Sequence, residues 1–144
     1  MMASDRFAAR EATWPEDGDG LLEVRTAVFV VEQGVDVELE RDGKDPECWH
    51  ALAEDQQGRA VGAGRLSREG KIGRVAVLEE WRGRGVGGAL MGCLLARADE
   101  QGLAETHLHS QVDATAFYAG LGFESTGEIF DEAGIDHVKM VRRG

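Results

Sequence analysis

Residues 82–89 read Arg82, Gly83, Arg84, Gly85, Val86, Gly87, Gly88, Ala89, and glycines at this spacing beside two arginines suit the holding of phosphate. Glycine lets backbone approach a ligand closely and turn its N–H groups outward, and a helix starting directly behind such a turn adds roughly half a positive charge at its N-terminus. The flanks supply both neighbours. Val75, Ala76, Val77 and Leu78 read as a strand leading in, and Leu90, Met91, Leu94 and Leu95 as a helix leading out.

Two phosphate-binding turns fit this string. Gly83, Gly85 and Gly88 satisfy G-x-G-x-x-G, the dinucleotide fingerprint, whereas Arg82, Gly85 and Gly87 satisfy R-x-x-G-x-G and resemble the pyrophosphate turn of the GNAT acetyltransferases. A dinucleotide fold places its turn after the first strand and an acid about 20 residues on, at the end of the next strand. Here the next strand candidate, Thr106 to Ser110, ends in Ser110 and Gln111, and the first acid after it is Asp113. A Walker A loop is excluded, because no Lys followed by Ser or Thr comes after the glycines.

The 144 residues suit one domain, 1–144, and 42% apolar residues are enough to bury a core. No apolar stretch approaches 18 residues, and the opening Met1 to Arg6 lacks a leader's apolar centre, so a cytoplasmic protein with no membrane partner is expected. The net charge of −11 argues against nucleic acid. It does not exclude a phosphorylated ligand, since screening removes distant charges beyond about 8–10 Å, so that Arg74, Arg82 and Arg84 near the turn can set a positive local field. Only Lys44, Lys71 and Lys139 of the 16 basic residues are lysines, the balance expected of a high-salt interior. Cys48 and Cys93 are far apart and read as free thiols in packing positions.

The remaining pattern is mixed α/β. Strands are expected at Phe7 to Thr13, Trp49 to Ala53, Ala60 to Ser67, Lys71 to Val77, Thr106 to Ser110, Glu124 to Phe130 and Asp136 to Val141. The acidic stretch Glu16 to Asp19 offers an N-cap to a helix with an apolar stripe of Leu21, Leu22, Val24, Val28 and Val31. A second helix is expected from Gly85 to Gln101, closed by Gly102, and a short one from Ala114 to Ala119. Asp36 to Asp45 reads as a solvated acidic loop with at most one helical turn.

Over nearly its whole length the chain resembles the GNAT superfamily, and within it the ElaA-like group. The strings are VFVVEQGV from Val28, the spaced Asp42, Asp45 and His50, GRVAVLEEWRGRGVGGALM from Gly73, FYAGLGF from Phe117, and Gly127 and Glu128 ahead of EAGIDHVKM from Glu132. The resemblance implies a splayed, largely antiparallel sheet of six to seven strands with a central β-helix-β crossover and flanking helices. It implies that acetyl-CoA wedges between the strand ending at Val77 and that at Thr106 to Ser110, with Val75, Ala76 and Val77 along the pantetheine arm. The pyrophosphate then falls to residues 82–88, Arg82, Gly83, Arg84, Gly85, Val86, Gly87 and Gly88. Gln111 stands where many relatives carry Asn, which leaves its cofactor contact open.

What that implies chemically is attack by an amine of an unidentified small molecule or protein on the thioester, with CoA as product. An alkylammonium of pKa about 10.4 must lose a proton at pH 7, a penalty of roughly 4–5 kcal/mol, and the departing sulfur wants one. Tyr118, the only tyrosine, sits in FYAGLGF where the family places a general acid. Glu32 and His50 both match the family pattern and stand as alternative bases. His109 and His137 are candidate substrate contacts; His107 and His109 share a strand face but have no third ligand, so no metal is expected. Glu38, Glu40, Asp42 and Asp45, if they rim the acceptor site, favour a cationic amine. A non-catalytic acyl-CoA-binding module is the alternative, a dinucleotide-dependent redox protein a more distant one, and a homodimer stays open.

Overall fold

The structure is a computed structural model that describes residues 6–144; the part of the leader reading that rests on Met1 to Asp5 lies outside the described residues. Seven strands form one sheet: β1 (Phe7–Ala12), β2 (Trp49–Asp55), β3 (Ala60–Leu66), β4 (Lys71–Val77), β5 (Glu105–Gln111), β6 (Glu124–Glu132) and β7 (Ile135–Arg143). Their order across the sheet is β1-β2-β3-β4-β5-β7-β6. Every neighbouring pair is antiparallel except β4 with β5, whose parallel pairing requires a crossover. That crossover is α3 (Val86–Glu100). Around it lie α1 (Gly18–Arg25), α2 (Val37–Glu40) and α4 (Thr115–Ala119). No helix among the described residues is long and apolar enough to cross a membrane.

β3 is buried along its whole length. Its small residues make that possible: a Cβ on Gly62 would lie 2.8 Å from Val86 and 2.9 Å from Leu90, and one on Gly64 would lie 3.1 Å from Leu94. Those three side chains repeat at i, i+4 and i+8, so one stripe of α3 lies directly on the β3 backbone.

The sheet opens at its centre. β4 and β5 share only the register pairs Lys71↔His107 and Ile72↔Leu108, and beyond them the strands diverge. The local cause is a bulge in β4. Ala63 faces Ala76 and Arg65 faces Gly73, so Arg74 and Val75 together oppose Gly64, and Arg74 takes a left-handed φ of 52°.

α1 departs from its expected stripe. Leu21, Val24 and Val28 are buried, but Val31 is 77% exposed, because the helix widens into a π-helical segment over Thr26–Glu32 that shifts the face by a residue. The expected cap is also spent elsewhere. Asp17 occupies the N-cap position without a capping hydrogen bond; its carboxylate instead accepts from Arg10 at 2.9 and 3.1 Å and from the Thr13 N–H at 2.8 Å.

The acidic loop carries one helical turn and is largely exposed, as expected, but two of its carboxylates are buried. Asp36 caps α2 by accepting from the Glu38 N–H at 2.8 Å, and Glu40 and Asp45 are only 2% and 4% exposed. Arg25 spans both, with Nε 2.7 Å from Glu40 and Nη1 2.8 Å from Asp45. Arg65 adds contacts to Asp42 and Asp45, and Arg41 and Arg74 close on Glu40. Four arginines neutralise three carboxylates, which is what allows Glu40 and Asp45 to be buried.

Candidate active site

A crevice of about 960 Å³ occupies the gap between β4 and β5. One wall is β4 from Gly73 to Val77, and the other carries Leu108, His109 and Gln111. The π-helical segment contributes Val28, Phe29 and Glu32, and Gln33 follows directly behind it. A π-bulge that re-aims side chains at a cavity is a frequent device at functional sites.

The glycine turn closes one end. Gly83 and Gly85 have φ of 75° and 88°, left-handed values that other residues adopt only under strain. The first helical bond of α3 runs from the Ala89 N–H to the Gly85 carbonyl, so the amides of Val86, Gly87 and Gly88 lie outside the helix ladder. Nothing stands within 4 Å of where a Cβ would project from Gly83, Gly85 or Gly88, and the Phe117 ring lies 3.2 Å from that point on Gly87. This turn, open and donor-rich, fits a pyrophosphate.

The positive field expected from three arginines is largely spent within the protein. Arg74 donates to the carbonyls of Leu39 and Glu40 and to Asp42. Arg82 holds Glu32 through two contacts of 2.7 and 2.8 Å and donates from Nε to the Val77 carbonyl at 3.0 Å. Arg84 stacks over the Trp81 ring at 4.9 Å and stands outside the lining. What the turn can offer an anion is therefore chiefly backbone amides and the helix dipole.

Tyr118 lies on the crevice wall, edge-on to Phe117 at 4.9 Å and Phe123 at 6.1 Å. Burial pushes its phenol up to about 12, so it is a neutral proton donor through the physiological range. Gln111 lines the crevice too, but its amide exchanges hydrogen bonds with that of Gln33 at 2.9 and 3.4 Å. The longer side chain bridges to the π-helical segment.

The two expected bases fare differently. His50 does not line the crevice: it is 3% exposed, stacks on Trp14 at 5.5 Å and sits 2.9 Å from the Asp45 carbonyl. Burial lowers its pKa, which suits a packed neutral ring. Glu32 does line the crevice, but the hydrogen bonds from Arg82 hold its carboxyl below the usual range.

Sequence reasoning named His109 and His137 but missed Glu132, which joins them at the far end, where the β6–β7 hairpin turns through Ala133 and Gly134 at φ of 55° and 80°. Glu132 on that turn places Oε1 2.9 Å from His109 Nδ1 and Oε2 3.8 Å from His137 Nε2. Burial pushes the Glu132 carboxyl up, but the His109 hydrogen bond and neighbouring cations outweigh it and leave the pKa lowered. His107 lies outside the lining. Cys48 and Cys93 are free thiols whose pKa burial raises, which disfavours the reactive thiolate.

A splayed mixed sheet with a glycine turn leading from β4 into its crossover helix is an α/β architecture suited to a phosphorylated ligand, and comparison with known proteins gives its class. Residues 18–143 match the acetyltransferase (GNAT) domain family. An acetyltransferase-named protein of Bacillus subtilis (strain 168) is 34% identical over 140 residues, covering 93% of this chain and 95% of that one. Among solved structures, an acyl-CoA N-acyltransferase from Pseudomonas aeruginosa superposes with TM-score 0.79 and 30% identity, covering 95% and 98% of the two chains. Escherichia coli ElaA superposes with TM-score 0.83 and 29% identity, covering 96% and 99%. The chain belongs to the GNAT acetyltransferase family. It is an enzyme of that class, and its mixed, mostly antiparallel sheet matches the family's acyl-CoA N-acyltransferase structures.

Proposed function

We propose that this protein transfers an acetyl group from acetyl-CoA directly to a primary amine of a small molecule or protein. The observation that carries this reading is the crevice between β4 and β5, which meets the open amides of the glycine turn at one end and has Tyr118 in its wall. Acetyl-CoA, when bound, supplies a thioester whose carbonyl carbon accepts a neutral amine.

Each part of the crevice has a task in that scheme. The amides of Val86, Gly87 and Gly88 hold phosphate oxygens, and the exposed edge of β4 from Gly73 to Val77 offers main-chain pairing to a pantetheine arm in the manner of an added strand. The Val77 carbonyl already accepts from Arg82, so on that residue the N–H is the group left to pair. Tyr118 donates its phenolic proton to the departing sulfur, a step for which a neutral phenol is suited.

Thermal shift with CoA, acetyl-CoA and NADH side by side tests the cofactor. Stabilisation by the first two and none by NADH is expected; the reverse pattern overturns the reading. Thiol release from acetyl-CoA across a panel of amines then separates an enzyme from a non-catalytic acyl-CoA-binding module.

A further inference from the structure

Resting on that reading, we propose that His109 is the base that takes the proton from the acceptor ammonium, through Nε2, and that Glu132 is the residue that positions it. The hydrogen bonding dictates the tautomer. An ionised carboxylate only accepts, so His109 Nδ1, 2.9 Å from Glu132 Oε1, carries the hydrogen and leaves the lone pair on Nε2. The same logic applies to His137. Its Nδ1 lies 2.7 Å from the Ile135 carbonyl and must donate to it, while its Nε2 stands 3.8 Å from the Glu132 Oε2, beyond hydrogen-bond reach.

Place and orientation both favour His109. It is the first residue of β5 beyond the last pair with β4, at the mouth of the splay, and it lines the crevice together with Glu132 and His137. Its ring is held edge-on to Phe130 at 5.0 Å, so two contacts fix its orientation. Glu132 in turn sits in β6 immediately before the left-handed Ala133 and Gly134, the tight hairpin that carries its carboxylate back over β5. The carboxylate also attracts a cationic amine and stabilises the imidazolium that forms.

The protons balance as follows. The ammonium gives one proton to His109 Nε2, which releases it to solvent. The freed nitrogen lone pair forms the new C–N bond, the C–S bond breaks, and the sulfur takes the phenolic proton of Tyr118. The second proton lost by the nitrogen restores that phenol. The net change is ammonium plus thioester to amide, thiol and one released proton.

The pH dependence of this base is set by what faces it from each element. These groups are Lys71 on β4, His107 on β5, Glu132 on β6, and His137 and Lys139 on β7.

The test uses the full-length protein, acetyl-CoA and two kinds of amine, with thiol release as readout. Spermidine, glucosamine and a lysine peptide are cationic at neutral pH; hydroxylamine is already unprotonated. His109→Gln is expected to lower kcat/KM about 100-fold for the cationic acceptor the enzyme uses best, and to retain most of the rate with hydroxylamine. Glu132→Gln is expected to move the acidic limb of the pH profile to lower pH, with partial return in Glu132→Asp. Equal losses on cationic and neutral amines, or an unmoved limb in Glu132→Gln, overturn the proposal while leaving acetyl transfer intact. Absence of thiol release from every amine in the unsubstituted protein overturns the acetyltransferase reading and the proposal with it. Long-range proton–nitrogen NMR gives an answer independent of turnover: an Nε2–H tautomer at His109 overturns the assignment, and Nδ1–H supports it.

Discussion

Arg82 and Glu32, 50 residues apart, face each other with two parallel contacts of 2.7 and 2.8 Å at the glycine-turn end of the crevice. Both side chains are partly solvated, and such pairs contribute about 0–1 kcal/mol to stability. The functional consequence is larger. The pair takes a guanidinium away from the glycine turn and keeps Glu32 ionised below its usual range, and a carboxylate so held is a weak base at neutral pH. Glu32→Gln is therefore expected to leave the midpoint of the pH profile where it is, and to leave CoA binding as tight or tighter because Arg82 is freed. A 100-fold fall in kcat together with loss of the acidic limb would instead identify Glu32 as the base.

Tyr118→Phe removes the proton donor and nothing else of similar size. We expect kcat/KM to fall by about 10², with stabilisation by CoA in thermal shift unchanged. Because the phenol titrates only at about 12, its ionisation contributes no loss of rate in the neutral range. Unchanged turnover in the variant at saturating acetyl-CoA removes Tyr118 from the mechanism.

Gly85 sits at the N-cap of α3 with φ of 88° and open space around the site of a Cβ. Any effect of Gly85→Ala is thus backbone strain, about 1–2 kcal/mol, relieved by turning the amides that follow. Weakened protection by CoA is expected, with little change in the melting temperature of the free protein beyond that strain. CoA binding at full strength in this variant argues against the turn as the phosphate site.

Arg25 is 1% exposed between Glu40 and Asp45. Arg25→Met strands buried carboxylates and is expected to cost about 3–5 kcal/mol in denaturant unfolding. The same cluster sets the acid response. At Asp45 burial raises the carboxyl pKa, but the hydrogen bond and charge of Arg25 outweigh it, and at Asp42 those of Arg65 do. With folded pKa values below unfolded ones, their contribution is fully present above the ordinary carboxylate range near 4 and is lost as pH falls through the depressed values. Unfolding free energies measured at pH 7, 4 and 3 should decline in that order, and less steeply in Arg25→Met.

The lysine-poor, acidic composition predicts a melting temperature that rises from dilute to molar KCl as salt screens the net charge of −11. Screening also weakens exposed pairs such as Arg10 with Asp17 and Glu54, so a flat or falling curve rejects adaptation to high salt.

Much of the scaffold is local information. The bounds of β4 coincide with the run Lys71 to Val77, the glycine turn and α3 follow one another as the composition demands, and Gly102 ends the helix at a φ of 71°. Strand alternation, helical periodicity and glycine's left-handed freedom act over a few residues, so one stretch of chain suffices to read them. By itself the sequence therefore determined the element order and the glycine turn between β4 and α3.

Only the tertiary structure decided which polar groups meet. His109 and Glu132 are 23 positions apart, Gln33 and Gln111 are 78 apart, and the buried arginine cluster joins α1 to the acidic segment and β3. Whether a histidine is a packed ring like His50 or lines the crevice against a carboxylate like His109, and whether an acid is solvated or buried like Glu40, depends on the register of the sheet. Pairing at such separations is set by the geometry of the whole sheet, and no local pattern of residues encodes it.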